Sequence, residues 1–147
     1  MVSAGDTARG VLLQIGSEPL TSLVLEPKGR AARLTLEGAM LDVLKAAEGL
    51  EIVVRGRLTD TRAPAAPAGS RVFQVASFTV RAAEGRAAHD GVVVRDTEGF
   101  ALRLQDGTLT RAPHMPVALQ SKPGARVFLV GPLMQSPAAY GILAEPR

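Results

Sequence analysis

Apolar residues recur at alternate positions in short runs along this chain, and glycine or proline punctuates the runs. Residues 9–15 and 22–26 are two such runs, parted by the turn signal Gly16 to Pro19. Pro27 to Gly29 turns the chain into residues 33–36, where Leu34 and Leu36 share one face. From Ala39 to Ala47 the period changes: Met40, Leu41, Val43, Leu44 and Ala47 fall at helical spacing, and Gly49 is a natural stop. A strand over 50–58 follows, with Ile52, Val54, Gly56 and Leu58 on one side. A Pro/Ala loop at 62–69 leads into a last strand, Val72 to Val80.

The same order then returns. Sliding the sequence by 75 residues brings Leu34, Thr35, Met40, Leu44, Gly49, Gly56 and Leu58 onto Leu109, Thr110, Met115, Leu119, Gly124, Gly131 and Leu133. Gly10 to Leu13 matches Gly91 to Val94 once six extra residues in the first copy are allowed for. Insertions confined to turns are what two copies of one folded unit produce. The second copy reads as strand 91–95, strand 100–104, a hairpin at Asp106-Gly107, a turn or two of helix, and strands 125–131 and 138–143.

Three strands, a short helix and two more strands make up each copy. In that order the chain resembles the oligonucleotide/oligosaccharide-binding (OB) superfamily. The resemblance implies an all-β protein of two tandem OB-like five-stranded small barrels, each with one short helix between strands 3 and 4. It divides the chain into barrel 1 at 1–82, a connector at 83–90 and a shorter barrel 2 at 91–147. Two halves of one larger closed barrel are the alternative. The fold hosts many functions, so no functional residue carries over from it.

Composition narrows the chemistry. The 147 residues are 46% apolar and 21% charged, enough to fold one ordinary domain or two very small ones. Without cysteine, disulfides, thiolate metal sites and cysteine nucleophiles are excluded. The 17 basic and 14 acidic residues leave a net charge of +3, with the two signs mixed along the chain. The first ten residues contain Asp6 and Arg9 and no apolar segment, so they do not read as a secretory signal. The uncharged stretch Val127 to Ala144 is broken by Gly131, Pro132, Pro137 and Gly141, which suits two strands and a turn better than a membrane helix. A cytoplasmic protein is expected, free or peripheral to a membrane complex.

No residue set reads as catalytic, cofactor-binding or metal-binding. His89 and His114 lack metal-site spacing and fall in the connector and in a proline-flanked loop. Ser17, Ser70 and Ser136 sit in turn contexts, outside any nucleophile elbow, and phosphate-cradling glycine loops are missing. For nucleic acid the case rests on Arg55 and Arg57, opposite in phase to Ile52, Val54 and Leu58, with Arg33, Arg62, Arg71 and Arg81 nearby. Stacking rings are scarce, with only Phe73, Phe78, Phe100, Phe128 and Tyr140. Phe100 alternates with Leu102 and Leu104 as a core residue would, and at least one of Phe73 and Phe78 must be buried.

At matching positions the copies differ: Arg55 corresponds to Val130, Arg57 to Pro132 and Val53 to Phe128. A face that is charged in one copy is apolar in the other, and it needs a cover. The first copy, an identical chain or another protein could supply it. The expectation is therefore a non-catalytic interaction or scaffold module, an accessory subunit of a larger assembly. It would dock through Phe128, Val130 and Pro132, with Arg55 and Arg57 adding charge at the rim. Nucleic-acid binding and small-molecule or saccharide binding at a barrel mouth are the competing readings.

Overall fold

A computed structural model of the chain describes residues 5–15, 22–27, 33–59 and 71–146. The turns expected at 16–19 and at the end of 27–29, with Ser17, Arg62, Ser70 and the 62–69 loop, lie outside the described residues. The protein is all-β, with ten strands and two helices of one turn each among the described residues, and it divides into two compact units, Met1–Thr79 and Val80–Arg147.

In the first unit the strands are β1 (Asp6–Ile15), β2 (Ser22–Pro27), β3 (Leu34–Glu37), β4 (Glu51–Thr59) and the start of β5 (Arg71–Ala83), which runs on into the second unit from Val80, with α1 (Leu41–Lys45) between β3 and β4. Their pairings run in a cycle. β1 pairs with β2 and β4, and β2 pairs with β3. β3 lies parallel to β5 over Leu34↔Arg71 to Glu37↔Gln74, and β5 pairs back onto β4. Leu12, Leu36, Ile52 and Val54 are buried, and β2 is buried on both faces at Val24 and Leu25, all at most 2% exposed; Leu44 of α1 is buried at 0%. Gly56 belongs to the β4–β5 seam: a Cβ there would stand 1.8 Å from the Gln74 carbonyl oxygen.

β5 departs from simple alternation. Its buried positions are Val72, Phe73 and Val75, then Phe78 and Val80; the three-residue step from Val75 to Phe78 shifts the inward phase by one residue around Ala76-Ser77. Both phenylalanines are buried as a result, although five residues apart they would occupy opposite faces of a regular strand.

The second unit contains β6 (Arg86–Asp96), β7 (Gly99–Arg103), β8 (Leu109–Arg111), α2 (Val117–Gln120), β9 (Arg126–Val130) and β10 (Ala139–Ala144), in the spatial order β8-β7-β6-β9-β10. Residues 83–90 are not a loose connector. They complete β5, turn at Glu84-Gly85 and begin β6, with Ala82↔Ala87 and Ala83↔Arg86 paired. His89 is therefore a half-buried strand residue. Val93, Leu102, Met115, Leu119, Val127 and Leu129 form the core, and Phe100 packs against it half-buried.

The repeat is visible at the level of single hydrogen bonds. In the first unit Leu12 donates its N–H to Leu50 (3.0 Å) and accepts from Gly49 (2.7 Å). In the second, Val93 donates to Ala125 (2.9 Å) and accepts from Gly124 (2.8 Å). The helix exits match as well: Ala47 donates to Leu44 and Leu50 to Ala47, as Lys122 does to Leu119 and Ala125 to Lys122. Gly49 and Gly124 both have positive φ, at 85° and 94°, a conformation costly for other residues.

One pairing does not repeat. Among the described residues β8 pairs only with β7, and β10 only with β9. The stretch of the second unit that would correspond to the start of β5 is the turn 131–138. Gly131 has φ 98° there, and Pro132 and Pro137 have no N–H to give a ladder.

Candidate partner-binding surface

The turn between β9 and β10 forms a wall of two clefts. On one side lies a cleft of about 450 Å³, lined by the loop Pro113 to Val117, Gln120 of α2, Ser136, Pro137 and Tyr140. On the other lies a cleft of about 590 Å³, whose polar lining comes from Arg86, His89, Gln135 and Ser136. The chain's two histidines thus line the two clefts, His114 the smaller and His89 the larger. Neither lining contains a carboxylate.

Sequence places these groups in simple ways. Pro113 and Pro116 stop β8 from continuing and hold α2 to one turn, its Leu119 buried as an anchor. Gln120 Nε2 donates to the Met115 carbonyl at 2.9 Å and fixes the loop to the helix. Three large apolar side chains are left exposed around the turn: Val117 at 81%, Met134 at 68% and Tyr140 at 46%. Met134 lies in the segment between Pro132 and Pro137, a place where a strand cannot turn it inward.

The residues expected to dock a partner are distributed differently. Val130 is only 2% exposed, paired on both sides with alanines, Ala88 and Ala139. It does not belong to an open apolar face, which corrects the expectation. Phe128 is half-buried, and its ring covers Gly141 on the adjacent strand, where a Cβ would stand 2.6 Å from it. A glycine opposite a ring gives the ring a seat in its own sheet. Pro132 is exposed and lines the larger cleft. Arg55 and Arg57 are exposed in the first unit, alternating with buried Val54 and Gly56 as the spacing requires. Val117, Met134 and Tyr140 were missed, although the prolines bracketing Met134 are a legible signal for an apolar residue held in a loop.

The charged groups of the two units are mostly engaged in the fold. Arg9 Nε donates to Glu51 at 2.9 Å. Arg126 grips Asp90 with two hydrogen bonds, at 2.9 and 2.7 Å, and Asp90 also accepts the Val80 N–H at 2.8 Å. The Asp96 carboxyl is lowered from 3.8 to about 2, chiefly by the Arg111 hydrogen bond and then by the Glu98 N–H. Asp96 in turn raises Arg111. Thr108 lowers Asp106 by side-chain and backbone hydrogen bonds in the Asp106-Gly107 hairpin. Arg95 stands 5.7 Å from the Phe100 ring centre. Arg86 in the larger cleft has no ion pair among the described residues.

Among the described residues no group of three or more His, Asp or Glu could hold a metal ion, and no helix is long and apolar enough to cross a membrane. Compared with protein-family models, curated proteins and solved structures, the chain matches none of them.

Proposed function

We propose that this chain is a non-catalytic protein-interaction module, an accessory subunit that docks on a larger assembly through the β9–β10 turn of its second unit. The exposure of Val117, Met134 and Tyr140 beside two clefts is the observation that carries the reading. Covering apolar surface gains about 25 cal/mol per Å², and aromatic and methionine side chains are favoured at interface centres. We read each unit as an OB-like barrel. The cyclic pairing of β1-β2-β3-β5-β4 supports this for the first unit, and the repeated hydrogen bonds support a related second unit whose β8 and β10 stay apart. A nucleic-acid role gains little support: Phe73 and Phe78 are buried, Phe100 and Phe128 are half-buried, and Tyr140 is the one exposed ring among the described residues.

The test is native co-purification with quantitative mass spectrometry. A stoichiometric partner is expected, released by Val117→Asp or Tyr140→Asp while circular dichroism and melting temperature stay unchanged. Retention of the partner by both folded variants overturns the reading. So does micromolar binding to single-stranded oligonucleotides that Arg55→Glu with Arg57→Glu abolishes.

A further inference from the structure

The polar side chains lining the two clefts are Arg86, His89, His114, Gln120, Gln135 and Ser136, all able to donate hydrogen bonds or carry positive charge. Arg86 is exposed and unpaired among the described residues; the exposed Glu84, two residues before it, lies outside the cleft lining, and Asp90, four residues after it, is 7% exposed and held by Arg126 and the Val80 N–H. A surface built this way repels a basic partner and leaves its cation without a counter-charge.

The first unit offers a comparison within the same chain. By the 81-residue offset that aligns Gly10 with Gly91, Ala87 of the larger cleft takes the place of Asp6, and Gly131 faces Ala87 as Gly56 faces Asp6. Asp6 fills its corner with its own carboxylate, which accepts the Leu58 N–H at 2.7 Å. In the second unit that corner is a methyl group beside an open cleft, and the flanking groups are Arg86 and His89.

We infer that the partner surface received by the β9–β10 turn is an acidic extended segment, its carboxylates entering the Arg86/His89 cleft and its apolar side chains lying against Met134, Tyr140 and Val117. The inference rests on the proposed docking role and adds the chemistry of what docks. Charge complementarity selects the partner, and the apolar residues supply the buried area.

The experiment uses the full chain, isotope-labelled for amide NMR, and two acetylated hexapeptides: Glu-Leu-Glu-Leu-Asp-Leu and its counterpart with lysine at each acidic position. The acidic peptide is expected to shift the Arg86, His89, Gln135 and Ser136 amides, with a Kd at least about fivefold below that of the lysine peptide. Arg86→Glu should abolish that preference and leave the spectrum dispersed. Equal binding of both peptides at the turn, with Arg86→Glu silent, defeats the acidic inference and leaves the docking role standing. Acidic-peptide shifts centred on Arg55 and Arg57, or no shifts at the turn, also defeat it. So do shifts at these amides on merely concentrating the chain, which would assign the clefts to a second copy. The docking role is judged separately by the Val117→Asp and Tyr140→Asp co-purification.

Discussion

Glu51 and Arg126 occupy the same place in the two units, 75 residues apart, and supply opposite charges to two equivalent ion pairs, Arg9–Glu51 and Asp90–Arg126. Val11↔Glu51 and Arg9↔Val53 on β1 and β4 become Val92↔Arg126 and Asp90↔Phe128 on β6 and β9. Each pair spans the ladder diagonally, with its polarity reversed between units. Opposite charges at this spacing satisfy the sheet in either order. The pairs differ in depth, since the side chain of Arg9 is 55% exposed and that of Arg126 only 19%.

Depth decides what each pair contributes. Asp90→Ala should destabilise the chain by about 3 kcal/mol, because it removes the buried carboxylate that both the Arg126 guanidinium and the Val80 N–H bond to. Arg9→Ala should cost less, about 1–2 kcal/mol: solvent screens the exposed arginine, but the carboxylate it leaves, Glu51, is only 10% exposed. Reversing the first pair, Arg9→Glu with Glu51→Arg, should recover most of the loss of either single change. Urea denaturation of the single and double variants measures all three.

Glycines should respond for two different reasons. Gly49→Ala and Gly124→Ala each place a Cβ at positive φ and should cost about 1 kcal/mol apiece. Gly56→Ala forces a Cβ into the Gln74 carbonyl and should cost more than about 3 kcal/mol, by parting β4 from β5. Thermal melts rank them directly.

The Asp96–Arg111 pair sets an acid limit. The Asp96 carboxyl is lowered from 3.8 to about 2, so its ionised form is favoured by folding. The stability it adds is complete above about pH 4 and disappears as the pH falls toward 2. Asp96→Asn should therefore be less stable than the parent at neutral pH, and the two curves should converge near pH 2. Melting temperature recorded across that range checks the sign.

The two small helices anchor by one leucine each. Leu44→Ala and Leu119→Ala, both removing a side chain of zero exposure, should each cost about 3 kcal/mol. Hydrogen exchange should localise the first loss to the first unit and the second to the second unit, following the division at Thr79.

Much of this fold was legible from spacing. Period-two runs, the helical period around Leu44 and the 75-residue offset place most of the strands, the first helix and the repeat. Where reading failed, tertiary context intervened. Spacing places Val130 on the outward face, yet it is 2% exposed and paired with two alanines that no local pattern assigns to it. Phe78 is buried because β5 changes phase, which only its neighbours impose. The connector at 83–90 is strand because the pairs Ala82↔Ala87 and Ala83↔Arg86 close a hairpin there, and alanine carries little strand signal. Tyr140 stands in the sequence as one of five aromatic residues, but no local pattern marks it as the exposed one.

The unshared margins of β8 and β10 bear on how this protein behaves when crowded. A strand margin with free amides and carbonyls can template growth by neighbouring chains. β8 limits that hazard with its three-residue length, and Pro137 removes a donor just before β10 begins. Replacing Pro137 by a β-former such as valine would strip away that guard, and fibril or oligomer formation at high protein concentration would be the first sign of its loss.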